Sequence, residues 1–467
     1  MLTRLQLENF KSWRDLDLKL APLTLLFGTN SSGKTAILQS LLLLKQTANN
    51  FDRKQHINLG GGERDYVDFG SWRDLVYDHD GNSSLAMRLE WDKPGPLHMF
   101  TSEFAYVVRW KSYNDQIKIA YLHYEEQQRG EVTEDFVMPP VVVTFEGGEY
   151  KFGVVSSDWS LRDTRTALDG EELPSLTLQS CYELPSNLVF WNEKLFAEWQ
   201  ESSVEERQQD RTWLLGLQDR LEYNEAFEYI LEKLLYLGPL RQPPARIYLW
   251  SGSMPHIIES DGENTIAALI ASERQDEDLL RYVSKWLTDM GLINELTIDA
   301  TDQARRFYEP KVKIGQTISS LFDVGFGVSQ ILPIVTMLYF APFGSIILLE
   351  QPELHLHPNA QAVLADLMLE VAEKRRLQLI VESHSEHLLR RLQRRIAETE
   401  NAFASPENIK MYFCQIEDGE SKAEEVIVDE YGQIKNWPAN FFGDITGDLE
   451  AMTRAALHKV MNGGESR

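Results

Sequence analysis

Only two cysteines, Cys181 and Cys414, occur in 467 residues. Two thiols cannot knit a disulfide framework, and such sparse use of cysteine fits a reducing compartment. No stretch reaches the ~18 uninterrupted apolar residues that a membrane-crossing helix needs. The opening MLTRLQLENFKSW is broken by charges before an apolar run can form, which argues against a secretory leader. Cations are scarce too: 46 Lys and Arg against 72 Asp and Glu leave a net charge of -26. So acidic a surface does not coat nucleic acid non-specifically, since phosphate contacts are made by Lys and Arg; a local basic face stays open. The chain shows no internal repeat and no low-complexity tract. These absences point to a cytoplasmic protein that engages no membrane.

What is present is ordinary in bulk, with 43% hydrophobic and 25% charged residues. The length exceeds what one hydrophobic core usually serves, so two or three lobes are expected. Residues 2–7 and 16–20 alternate apolar and polar, as half-buried strands do. The run LTLLF (Leu23 to Phe27) reads as a buried central strand, and TAILQSLLLLKQTA as a helix buried on several faces. Residues 60–80 read as loops. β-rich runs with short connections fill 85–155 and predict an antiparallel sheet. Helical spacing with high charge marks 190–236, GPLRQPP (Gly238 to Pro244) reads as a punctuated linker, and 263–290 as helical. Helix, strand, helix, strand, helix over 330–396 predicts a parallel sheet with crossover helices. Two strands and a short helix are expected after residue 400.

GTNSSGKT (Gly28 to Thr35) fits G-x-x-x-x-G-K-[ST] in full, between an apolar strand and a helix. Glycines let the backbone wrap phosphates, and N–H groups at the helix start point at the anion. Asn30, Ser31, Ser32 and Gly33 would cradle it, Lys34 would supply a cation to the terminal phosphates, and Thr35 a hydroxyl to Mg²⁺. Such a loop needs a metal carboxylate at the end of a neighbouring strand. SIILLE (Ser345 to Glu350) supplies Glu350. Four histidines follow, His355, His357, His384 and His387; without cysteine they make a weak zinc pattern. His384, just after the apolar LQLIV, reads better as a group beside the terminal phosphate.

Together these residues resemble the ABC-type ATPase superfamily, in particular soluble SMC-like and overcoming-lysogenization-defect (OLD)-like ATPases. ENFKSW, with Lys11 and Ser12, resembles the N-terminal strand signature of SMC-like heads. GTNSSGKT resembles Walker A, VGFGVSQ (Val324 to Gln330) the ABC signature, IILLEQPELHLHP Walker B with its D-loop, and IVESHSEHLL the switch-histidine strand. NWPANFF (Asn436 to Phe442) resembles the tail of an uncharacterised branch whose genes associate with phage defence. The likeness covers residues 1–50 and 235–400. It implies an α/β P-loop NTPase of ABC/SMC-head type: a mixed-sheet core, an antiparallel β lobe and a helical insertion. The expected division is 1–160 (Walker A lobe with the β subdomain), 161–236 (helical insertion), 237–400 (signature, Walker B, switch histidine) and 401–467 (tail).

The resemblance also implies a homodimer or higher oligomer. ATP would be sandwiched between Walker A of one subunit and Gly325, Gly327 and Ser329 of the other. Two departures stand out. Gly325 replaces the signature serine, leaving Ser329, one turn on, or backbone N–H groups to serve. Gln351 replaces the catalytic glutamate. Glutamine accepts no proton at neutral pH but can orient water, and His384 is the nearest alternative base. Glu350, Gln351 and His384 are therefore the expected catalytic set, Thr35 and Glu350 the metal ligands, ATP and Mg²⁺ the cofactors, and slow hydrolysis the activity. The expected partner is a separate effector, a nuclease or toxin, with DNA also possible in antiviral defence. The rival reading is an ATP-locked scaffold with negligible turnover. Arg390, Arg391, Arg394 and Arg395 on one helix, near Lys374, Arg375 and Arg376, form the one candidate basic patch.

Overall fold

The computed structural model describes residues 1–50, 55–62, 65–92, 102–128, 141–146, 149–154, 227–275, 278–398, 403–438 and 450–457. Cys181, most of the expected helical insertion and the end of the Asn436–Phe442 segment lie outside them.

A parallel sheet carries the phosphate loop. Its strands are β3 (Leu23–Gly28), β9 (Leu234–Leu237), β14 (Ile346–Glu350), β15 (Gln378–Glu382) and β16 (Ile409–Glu417), with β17 (Glu420–Glu425) antiparallel at one edge. The spatial order is β17-β16-β3-β15-β14-β9. The loop strand β3 thus lies between β15 and β16, and β14 is one strand further out.

The central strands read as continuous apolar runs because both of their faces are covered. Alternate residues feed two separate cores. Leu23, Leu25, Phe27, Ile347, Leu349, Leu379 and Val381 join one, together with the helices Phe326–Phe340 and Pro358–Lys374. Leu26, Ile346, Leu348 and Ile380 join the other, together with the helix Lys34–Ala48. That helix is enclosed between the parallel sheet and a second sheet, which is why apolar residues occur all around it.

The second sheet has seven antiparallel strands. β1 (Leu2–Phe10) and β2 (Trp13–Lys19) continue into β4 (Leu85–Asp92), β5 (Ser102–Tyr113), β6 (Gln116–Gln128), β7 (Val141–Glu146) and β8 (Glu149–Val154). The antiparallel arrangement of the described strands within 85–155 is as expected, and β1–β4 pairing joins them to the N-terminal hairpin. A third sheet is formed by β10 (Tyr248–Leu249), β11 (Glu295–Ala300), β12 (Phe307–Ile314) and β13 (Thr317–Ser320). Its strands carry Lys, Glu and Pro among few apolar residues, so their alternation is faint in the sequence. Residues 60–80, expected to be loop throughout, include an α-helical turn, Trp72–Leu75, with Trp72 and Leu75 buried, and a 3-10 turn, Tyr77–His79.

His56 ties the second sheet together. Its Nδ1 accepts from the Ile119 N–H at 3.2 Å, and its carbonyl accepts from Trp110 Nε1 at 3.0 Å. Burial, with Lys118 nearby, pushes its pKa down from 6.5 to about 4. A neutral ring is therefore required for the fold. Its contribution is complete above pH 6.5 and is lost as pH falls towards 4, a loss of roughly 3 kcal/mol. Melting of wild type and His56→Gln between pH 4 and 7.5 checks this: the wild type should lose stability across that window, and the variant should lack that component.

Candidate functional site

The phosphate loop begins where β3 runs out of room. A Cβ at Gly28 (φ 144°) would collide with the Cys414 carbonyl of β16, so only glycine fits. Ser31 (φ 62°) and Gly33 (φ 88°) turn the chain, and the helix starts at Lys34. Lys34 is only 3% exposed. Its ammonium donates to the carbonyls of Gly28 (3.2 Å) and Thr29 (2.7 Å), which fixes the loop. Burial lowers its pKa, and the Glu382 carboxylate, 4.0 Å away, works against that.

Two carboxylates end adjacent parallel strands in register, Glu350 on β14 beside Glu382 on β15. Sequence reasoning assigned the metal to Thr35 and Glu350. Thr35 Oγ1 in fact donates to Glu382 Oε2 at 2.7 Å, and it is Glu382 that lines the cavity. Glu350 stands behind it and accepts from the Tyr236 hydroxyl at 2.9 Å. Burial raises the Glu350 pKa to about 7; Tyr236 moderates the rise and Glu382 adds to it. Burial likewise raises Glu382, against the bond from Thr35 and the charge of Lys34. A signal for Glu382 was present: LQLIVE ends an apolar strand in a carboxylate just as SIILLE does.

Gln351 leaves the strand with a left-handed φ of 43°, and its N–H donates to the Glu382 carbonyl at 2.8 Å. The turn after it folds Glu353 back under His384, whose N–H donates to Glu353 Oε1 at 2.6 Å. Partial burial and the Lys34 cation lower the His384 pKa, which disfavours the protonated ring.

A cavity of about 860 Å³ gathers these groups. Lys11, Ser12, Asn30, Ser31, Ser32, Gly33, Lys34, Thr35, Gln351 and His384, all singled out from the sequence, line it with Glu382. The β1–β2 turn delivers Lys11 (φ 51°), whose N–H is anchored on the Leu75 carbonyl at 2.8 Å. Asp74, Tyr77, Asp78 and His79 form the wall facing the loop; these the sequence reading left unassigned. The set suits magnesium and a polyphosphate: a hydroxyl and buried carboxylates for a hard cation, beside a cation and turned N–H groups for an anion.

Gly325, Gly327 and Ser329 do not line this cavity. They start the helix Phe326–Phe340, where Gly327 faces the His355 carbonyl and Ser329 Oγ donates to its own Phe326 carbonyl at 2.8 Å. Phe326 is half exposed beside them, edge-on to His355. His357 caps the next helix by accepting from the Asn359 N–H.

Arg241 lies in the segment read as a linker, yet it is 7% exposed. Its guanidinium donates to the carbonyls of Gln330 and Glu350, both at 3.3 Å, and so bridges the signature-like helix and the carboxylate strand. All four arginines of the helix Glu386–Ala397 are ion-paired, by three carboxylates between them. Asp366 pairs with Arg391 and Arg395, Glu398 with Arg394 and Arg395, and Glu386 with Arg390. Among the described residues no helix is long and apolar enough to cross a membrane.

A family model described as AAA ATPase domain matches residues 1–120 and 257–389. Another, described as a protein of unknown function (DUF3696), matches residues 405–452. Forty-four residues are 50% identical to an OLD nuclease of Thermus scotoductus, a match that takes in 9% of this chain and 8% of that protein. Among solved structures, an SMC head bound to the C-winged helix domain of ScpA is 12% identical over 91% of this chain and 97% of that one, with a TM-score of 0.45. The SMC head domain from Thermotoga maritima is 12% identical over 91% and 99%, with a TM-score of 0.37. The AAA ATPase model spans more than half of the chain and takes in the phosphate loop, both carboxylate strands and His384: the chain belongs to the AAA ATPase domain family.

Proposed function

We propose that this ATPase binds Mg²⁺·ATP in the cavity over Lys34, hydrolyses it slowly, self-associates while ATP is bound, and thereby controls a separate effector. The observation that carries the reading is Gln351. Its N–H is held on the Glu382 carbonyl at 2.8 Å and its side chain lines the cavity, where a general base would stand. A carboxamide there orients water but takes no proton.

Within this reading Lys34 and the loop N–H groups hold the phosphates. Lys11 and Ser12 bind from the side of the β1–β2 turn. Thr35, Glu382 and Glu350 would hold the metal, whose charge would offset that of the phosphates and favour the ionised form of the buried carboxylates. Gln351 orients the attacking water and His384 takes its proton.

Self-association is supported by the placement of the signature-like turn. Gly325, Gly327 and Ser329 lie outside the cavity, and a second copy would bring its own set to the phosphates with a helix N-terminus. ATP then binds the closed pair better than the open one, and its hydrolysis loosens the pair. The short match to a nuclease is the one hint that the effector acts on nucleic acid; a place in antiviral defence rests on the sequence resemblance alone. The test is whether purified protein releases phosphate slowly and doubles its mass in light scattering only with Mg²⁺·ATP.

A further inference from the structure

We propose that Ser421, within the segment matched by the family of unknown function, is a positioning residue of the nucleotide site: it sets the Ser12 hydroxyl as a donor to the bound phosphates. The inference rests on the nucleotide-binding reading above.

Its basis is where the β16–β17 hairpin ends. β16 runs parallel to β3 with Cys414 opposite Gly28, so both strands leave the sheet at the same edge. The hairpin then turns through Asp418 (φ 51°) and Gly419 (φ 86°), between the paired Glu417 and Glu420. Two successive left-handed residues make the tightest hairpin turn, one whose twist suits the strands. It brings Gly419 to the wall of the phosphate-loop cavity.

Ser421 follows at once and is 1% exposed. It holds Ser12 twice, across 409 residues of sequence. Its N–H donates to the Ser12 carbonyl at 3.0 Å, and its hydroxyl donates to Ser12 Oγ at 2.7 Å. Trp13 Nε1 completes the arrangement by donating to the Gly33 carbonyl at 3.0 Å. A Cβ added at Gly33 would come within 2.7 Å of Ser421 Oγ and of Trp13 Nε1, and 2.8 Å of Ser12 Oγ. Both hydroxyls and the indole are thus packed on the loop residue that precedes Lys34.

The proton count gives the consequence. A hydroxyl carries one proton and two lone pairs. With the Ser421 proton spent on Ser12 Oγ, the Ser12 proton points elsewhere, and Ser12 lines the cavity. An anion there receives an O–H bond that is strengthened by its own charge. Without the Ser421 hydroxyl, the Ser12 hydroxyl rotates freely, while the backbone bond from the residue-421 N–H to the Ser12 carbonyl stays.

Calorimetric titration of Mg²⁺·ADP and Mg²⁺·ATP into wild type, Ser12→Ala, Ser421→Ala, Ser421→Cys and the Ser12→Ala/Ser421→Ala double variant tests this, with nucleotide-free melting alongside. Ser421→Ala should weaken both nucleotides about tenfold. The double variant should bind no more weakly than Ser12→Ala, because the serines act through one hydroxyl. Ser421→Cys keeps the side chain's shape, with a larger sulfur, but donates weakly, so it should stay folded and still bind like Ser421→Ala; it also carries the test if Ser421→Ala does not fold. Unchanged affinity in the Ser421 variants, losses that add in full, or wild-type affinity in Ser421→Cys would each overturn the inference and leave the nucleotide-binding reading intact. A wild type that binds neither nucleotide would sink both.

Discussion

Gln351→Glu is expected to raise phosphate release about a hundredfold, the low end of what a positioned general base contributes. The exchange is isosteric, and both residues tolerate the left-handed φ of 43° equally. The backbone stays put because the residue-351 N–H is fixed on the Glu382 carbonyl. What changes is a lone pair that takes a proton where the carboxamide has none. The pH profile should change as well. The introduced carboxylate enters a site with three buried acids, Glu350, Glu353 and Glu382, and like charges raise a carboxylate pKa. The rate of the variant should therefore climb with pH as that group ionises. Steady-state release from pH 6 to 9 measures this; an unchanged or slower variant would mean that a carboxylate at position 351 adds nothing to the base already present in His384.

Glu382→Gln and Glu350→Gln should each weaken Mg²⁺-dependent nucleotide binding about 10- to 100-fold, but their effects on the nucleotide-free protein should differ with pH. Glu350 has a folded pKa of about 7 against an ordinary 4.5. Its ionised form is therefore disfavoured in the fold. The penalty is absent below pH 4.5, grows between 4.5 and 7, and is complete above 7, at about 3 kcal/mol. Glu350→Gln should melt like wild type at pH 4.5 and higher than wild type at pH 8, the pattern of a buried charge kept for function rather than for stability. Metal binding ionises the group, so magnesium affinity should strengthen from pH 6 to 8 with release of a proton. Magnesium titrations in buffers of different ionisation enthalpy check the release; a pH-independent affinity would remove Glu350 from the metal site.

The sequence made the chemistry legible wherever function demands a fixed spacing. The phosphate loop declares itself because Gly28, Gly33, Lys34 and Thr35 each answer to a local backbone or charge requirement. The apolar strands ending at Glu350 and Glu382 declare themselves because both faces are buried. What stayed hidden depends on contacts distant in sequence. Glu382 was passed over because the strand order, which sets β15 directly beside the loop strand, is not written in spacing. Arg241 looked like part of a linker because its Gly-Pro surroundings signal a turn, while its burial comes from Gln330 and Glu350, about 90 and 110 residues on. Ser421 gave no signal, since its partner is at position 12. The arginine run reads as more basic than its surroundings make it because Asp366, which pairs with Arg391 and Arg395, belongs to another helix.

The most direct test of the account is phosphate release by wild type and by Lys34→Ala at saturating Mg²⁺·ATP, with light scattering on the same samples. On the proposed reading Lys34 supplies the buried ammonium that would face the phosphates, and no other described cation replaces it on the loop. The account predicts wild-type turnover well below about 1 per second, the slow end of enzyme rates, a mass that doubles with ATP, and the loss of both in Lys34→Ala. Doubling without release above the Lys34→Ala background would favour the ATP-locked scaffold; a wild type that neither releases phosphate nor associates with ATP would contradict the account.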